Sequence, residues 1–173
     1  MPLYTPSNTH VSIPLAEIDS HDERWMREAV ELARTAGARG EVPVGAVIVK
    51  DGQVVGQGMN LRETDLCALR HAEILAIEAA SKKLGAWRLS GCTLYVTLEP
   101  CLMCAGAIYQ ARFDRVVFGA LDPKAGAMGS LYRVHEDGRL NHRVMVKEGV
   151  LAPASTELLQ GFFRERRKKS DDS

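Results

Sequence analysis

The chain has no surplus of charge: lysine plus arginine and aspartate plus glutamate each number 22 among its 173 residues. Global electrostatics therefore name no partner, and any footprint for nucleic acid has to be local. No stretch approaches the roughly 20 consecutive apolar residues of a membrane helix. Residues 1–19 also lack the basic segment followed by an apolar one that a secretory signal requires. No membrane partner is expected, and the expected compartment is the cytoplasm. Internal repeats, low-complexity tracts and any break marking a second domain are missing too, which excludes solenoids and arrays. Cysteines are few, four in all, and in a cytoplasmic chain a Cys-x-x-Cys pair favours metal or redox chemistry over disulfides. What remains suits one globular domain over residues 20–169. A flexible leader, 1–19, with Pro2, Pro6 and Pro14 is expected before it and a short tail, 170–173, after it.

Periodicity orders that domain. After Ser20, Asp22 and Glu23 load a helix start, Trp25, Met26, Ala29, Val30, Leu32 and Ala33 form its apolar stripe, and Gly37 and Gly40 end it. Val44–Val49 reads as a strand, Asp51-Gly52 as a hairpin turn and Val54-Val55 as the start of the returning strand. Ala72, Leu75, Ala76, Ala79 and Ala80 have helical spacing that closes near Gly85. Thr93–Leu98 is a strand, Cys101–Ala111 a helix, Arg115–Phe118 a strand, Arg143–Val146 a weaker strand and Thr156–Lys168 a last helix. Strands alternating with helices after an opening hairpin predict an α/β fold: a three-layer α/β/α sandwich on a mixed, mainly five-stranded sheet.

The chemistry sits in His71-Ala72-Glu73 and Pro100-Cys101-Leu102-Met103-Cys104. A structural zinc takes four protein ligands, whereas a catalytic zinc takes three and keeps one position for water or substrate. His71, Cys101 and Cys104 supply three. Both segments lie where a loop enters a helix, and a helix N-terminus favours the thiolate. Pro100 suits a helix start, and Cys101 and Cys104, at i and i+3, share a face. Zn²⁺ with two thiolates and a neutral imidazole is formally neutral, so activated water needs an acid–base group nearby. Glu73, two residues from His71, borders the site as a non-ligand. The rival reading is a closed structural site with Cys67 as fourth ligand, which leaves Glu73 without a role. Cys92 reads as a small buried residue, and His10, His21, His135 and His142 as surface or hydrogen-bonded histidines. At the C-terminus, Phe162 to Lys169 sets five basic residues against one acid. That run is either a phosphate-neutralising helix or one docked by Leu158, Leu159, Phe162 and Phe163 with its charges merely solvated.

His-x-Glu with Pro-Cys-x-x-Cys is the signature of zinc deaminases, the tRNA adenosine deaminases among them. The chain resembles the cytidine and deoxycytidylate deaminase superfamily and, more closely, the bacterial tRNA-specific adenosine deaminases. The likeness covers about residues 21–168 and rests also on Glu41-Val42-Pro43-Val44-Gly45-Ala46, Trp87-Arg88-Leu89, Thr93 to Glu99, Arg115 to Gly119, Gly129-Ser130-Leu131 and Asn141-His142-Arg143. It implies a cytidine deaminase-like fold, one Zn²⁺ per subunit on His71, Cys101 and Cys104, and Glu73 as proton shuttle. The implied reaction is hydrolytic deamination of adenosine to inosine at the wobble position of a tRNA anticodon. The resemblance further implies a homodimer, with Asn60, the Ala72 N–H and Val42 around the base. It puts Asp122 and Lys124 near the flanking nucleotides, with Asp122 toward a ribose 2′-OH. Phe163, Arg164, Arg166, Arg167 and Lys168 would meet the anticodon arm. Two alternatives stand beside it: a zinc deaminase of a free base or nucleoside (cytosine, cytidine or guanine), and an RNA-binding module with structural zinc. Arg70 departs from the small, uncharged approach to the histidine that is frequent in bacterial relatives, and reads as an outward charge or a phosphate contact.

Overall fold

The computed structural model describes residues 15–171. They form α1 (Leu15–Ala38), β1 (Gly45–Lys50), β2 (Gln53–Met59), α2 (Ala72–Leu84), β3 (Thr93–Leu98), α3 (Leu102–Gln110), β4 (Arg115–Ala120), a 3₁₀ turn at Val134–Glu136, β5 (Met145–Lys147) and α4 (Ala152–Asp171). Side-chain alternation along the strands decides the layers. Val47, Val49, Tyr95 and Val117 pack with Trp25, Met26 and Ala29 of α1. Their neighbours Ala46, Ile48, Leu94, Val96, Val116 and Phe118 pack with Ala72, Ala76 and Ala80 of α2 and with Ala105 and Ile108 of α3. Fully burying Phe113 and Phe118 contributes roughly 1.5–3 kcal/mol each.

The sheet runs β2-β1-β3-β4-β5. β1 is antiparallel to β2 and β3, while β3, β4 and β5 are parallel. The expected α/β/α sandwich on a mixed five-stranded sheet is what the chain forms. Its hairpin turns at Asp51 and Gly52, both with positive φ (49° and 71°), as a two-residue turn matched to strand twist requires. Helix α2 lies almost against β2: a Cβ at Gly58 would sit 2.2 Å from the Ala72 carbonyl oxygen. The absence of a side chain there sets where α2 begins.

Element ends differ from the sequence reading. Helix α1 begins at Leu15 rather than Ser20. Residues 15–19 of the expected leader are helical. Helix α4 begins at Ala152 and runs to Asp171, since Pro153 in a first turn forfeits no hydrogen bond. Residues 1–14 of the expected leader and 172–173 of the expected tail lie outside the described residues. No described helix is long and apolar enough to cross a membrane.

Asp22, read above as first-turn charge, instead occupies the α1 side of the sheet with its side chain 1% exposed. Nη1 and Nη2 of Arg115 each donate to it at 2.7 Å, Lys147 Nζ at 2.9 Å and the Tyr95 hydroxyl at 3.0 Å. Burial alone would raise the carboxyl, but these donors outweigh it and bring it down to about 2. One acid thereby ties α1 to β3, β4 and β5.

Candidate active site

His71 is the N-cap of α2 and Cys101 the N-cap of α3, both in extended backbone and neither spending its side chain on capping. Because β2 and β3 deliver these two helix starts to the same end of the sheet, the side chains turn toward each other. His71 Nδ1 is 3.7 Å from Cys101 Sγ and 3.6 Å from Cys104 Sγ, and the three donor atoms all lie within 4.8 Å of one another. Zinc bonds of about 2.3 Å to sulfur and about 2.0 Å to nitrogen at tetrahedral angles set N–S spacings of ~3.6 Å. Spacing and donor softness both fit zinc. Cys67 stands outside this group and lines a separate surface hollow with Asp65, Leu69 and Arg70. Among the described residues, the four-ligand arrangement is not formed.

A hydrogen bond from the Cys104 thiol to Cys101 holds Cys101 down at about 3 and pushes Cys104 up, so the pair carries one thiolate readily. Glu73 is 4% exposed, and burial lifts its carboxyl to about 7. A group in that range both accepts and donates a proton near neutrality.

A cavity of about 200 Å³ opens beside these residues, lined by Val42, Val44, Asn60, Arg62, His71, Ala72, Glu73, Leu98, Glu99, Cys101, Asp122 and Ala125. It unites Val42, Asn60, Ala72 and Asp122 with the histidine and cysteine. Asn60 donates through Nδ2 to the Val42 carbonyl at 3.3 Å, while its buried Oδ1 has no partner among the described residues. An acceptor is thus left for a ligand. Asp122 Oδ1 accepts from the N–H groups of Lys124 and Ala125 at 3.0 and 3.2 Å, shaping its own turn as well as lining the wall. Lys124 is exposed and lies outside the lining. Phe163, Arg164, Arg166, Arg167 and Lys168 are exposed on α4. Arg164 borders a groove between α1 and α4 that reaches Pro43, next to Val42 of the cavity. Arg70 binds its own chain's Asp65 and Glu78 at 3.0 and 3.1 Å. Cys92 is buried, His142 Nε2 lies 2.7 Å from the Phe113 carbonyl oxygen, and His21 accepts from Trp25 at 3.3 Å. His10 is outside the described residues.

Two acids without a role in the sequence reading organise the walls. Glu99 is 2% exposed and accepts from the N–H groups of Asp122, Met128 and Ser130 at 2.9, 3.0 and 2.8 Å, and from the Ser130 hydroxyl. Glu41, fully buried, accepts from the N–H groups of Glu63 and Thr64 at 3.2 and 2.7 Å. Burial works to raise both carboxyls, yet the donors leave them below the usual range. Their signal in the sequence is a lone acid embedded beside apolar strand residues, as in Leu98-Glu99-Pro100.

The family model described as MafB19-like deaminase matches residues 20–167. The chain is 50% identical over 150 residues to the tRNA-specific adenosine deaminase of Bacillus subtilis (strain 168), spanning 87% of this chain and 93% of that one. A structure from studies of A-to-I editing by tRNA:A34 deaminases at the wobble position of transfer RNA matches with a TM-score of 0.76 and 44% identity, over 79% of this chain and 99% of that one. The X-ray structure of guanine deaminase from Bacillus subtilis matches with a TM-score of 0.55 and 36% identity, over 63% and 80%.

Proposed function

The chain belongs to the MafB19-like deaminases and, among them, to the tRNA-specific adenosine deaminases, and on that premise we propose that it hydrolyses adenosine to inosine at the wobble position of a tRNA anticodon. The observation carrying this reading is the cluster of His71, Cys101 and Cys104 beside one small cavity that His71, Cys101 and the buried acid Glu73 line together. His71, Cys101 and Cys104 would hold the zinc, which when bound makes water acidic enough to attack near neutral pH. Glu73 takes the proton of the attacking water and returns it to the departing nitrogen. The C6–O bond forms, the C6–N bond breaks, and ammonia leaves in exchange for one water.

Asn60 Oδ1 accepts from a donor on the bound nucleoside. The Ala72 N–H, in a first helical turn without an intrahelical acceptor, donates to the purine, and Val42 gives the base an apolar wall. A loop nucleotide is cheaper to extrude than a paired one, because less stacking is lost. Asp122 and Lys124 attend the flanking nucleotides, and Phe163, Arg164, Arg166, Arg167 and Lys168 attend the anticodon arm. The exposure of Leu66, Leu69 and Leu102 close in sequence to the metal segments (91, 58 and 52%) supports a homodimer. Acting on tRNA in turn supports a cytoplasmic location. Incubation with an adenosine-34 tRNA, and separately with free adenosine, cytidine, cytosine and guanine, tests the reading. Inosine in the tRNA is expected; turnover of free bases or nucleosides alone overturns it in favour of a small-molecule deaminase.

A further inference from the structure

The cavity receives a polyanion in the proposed function, yet its lining holds three carboxylates, Glu73, Glu99 and Asp122, against a single arginine, Arg62. Asp122, Glu99, Glu41 and Arg70 beside it are engaged. Glu99 and Glu41 are saturated by backbone N–H groups, and Arg70 is paired with Asp65 and Glu78. Arg62 differs: it is exposed, and among the described residues no carboxylate or carbonyl accepts from its guanidinium.

Its backbone, by contrast, is pinned. The Arg62 carbonyl accepts from Cys67 N at 3.1 Å, Leu61 N donates to the Arg70 carbonyl at 3.0 Å, and Glu63 N is held by the buried Glu41. A fixed anchor with a free, planar, five-donor head at the mouth of a cavity is a preorganised oxyanion binder, since no existing ion pair has to be broken first.

We propose that Arg62 is a substrate-positioning residue whose guanidinium binds a phosphodiester oxygen of the RNA next to the adenosine held in the cavity. The proposal rests on the tRNA reading above and adds a specificity element to it. The carboxylates of the lining repel the backbone, and Arg62 supplies the one compensating arginine or lysine charge among the lining residues. A free nucleoside, having no phosphodiester, gains nothing from it.

The test uses an anticodon stem-loop with adenosine at the wobble position, and two versions in which the phosphate on its 5′ or its 3′ side is a methylphosphonate, uncharged but similar in shape. Zinc content, melting temperature and kcat/KM are measured for the full chain, for Arg62→Gln, and for Arg27→Gln as a control on α1. Arg62→Gln should lower kcat/KM on the natural loop by about 10- to 100-fold, the size of a charged hydrogen bond, and reduce the salt slope by about one. Zinc content and melting temperature should not move. Neutralising the contacted phosphate should bring the unaltered protein down to the level of Arg62→Gln, and Arg62→Gln should lose little more. Equal rates for both proteins on the natural loop overturn the proposal, as do losses from Arg62→Gln and from each methylphosphonate that simply multiply. In both cases the unaltered protein still makes inosine, so the function survives; no inosine from the unaltered protein overturns the function and the contact together.

Discussion

Glu99 accepts the backbone N–H of Asp122 at 2.9 Å, so the acid next to Pro100-Cys101 fixes the loop that walls the opposite side of the cavity. The loop wraps closely, since a Cβ at Gly126 would lie 2.2 Å from the Glu99 carboxylate. Glu99→Gln keeps the size of the side chain but presents an NH₂ to N–H donors. Denaturant unfolding should show a loss of about 1–3 kcal/mol, the cost of unsatisfied buried donors. KM for tRNA should rise while zinc stays stoichiometric. An unchanged KM would show that the loop does not position substrate.

Glu73→Gln should retain zinc and lose turnover by at least the ~10²–10⁴ characteristic of a missing general acid–base. Metal analysis beside single-turnover kinetics separates the two roles. Loss of the metal would make Glu73 a ligand.

Cys67 decides between an open and a closed metal site. Cys67→Ala should bind zinc and deaminate as the unaltered protein does, whereas His71→Ala, Cys101→Ala and Cys104→Ala should each lose stoichiometric zinc. If Cys67→Ala also loses it, the three-ligand site is wrong.

Asp22 predicts an acid limb of stability. Its folded carboxyl lies at about 2, below the unfolded value of ~3.9, so its contribution is complete above about pH 4 and lost as pH falls toward 2. The shift corresponds to on the order of 2 kcal/mol at neutral pH. Asp22→Asn should therefore unfold more easily in urea at pH 7, with the difference shrinking toward pH 2. A difference that stays constant over that range would refute the linkage.

Replacing Arg164, Arg166, Arg167 and Lys168 together by Gln should flatten the salt dependence of tRNA binding, by somewhat under one unit of slope for each phosphate that these side chains neutralise. Zinc content should be unaffected. An unaltered slope would leave α4 a docked helix with solvated charges.

The hairpin, the sandwich and the cluster of His71, Cys101 and Cys104 are legible in the chain because each rests on local chemistry: a turn dipeptide, period-2 alternation, and soft donor side chains at helix starts. Asp22, Glu41 and Glu99 are not, because each serves donors far away in sequence. The N–H groups that Glu99 binds belong to residues 23 to 31 positions downstream, and no periodicity announces them. Arg70 and Arg62 show the same limit. Both stand in one polar loop before His71, and only the placement of Asp65 and Glu78 distinguishes the paired arginine from the unpaired one.

The turn at Asp51-Gly52 closes the hairpin whose other end, at Val44 and Asn60, borders the cavity. Six strand residues at about 3.3 Å each separate the two by roughly 20 Å. Both turn residues are exposed. A fluorophore, a surface tether or a fused guide protein attached there would carry the deaminase without shading its mouth, which makes this turn the natural handle of the molecule.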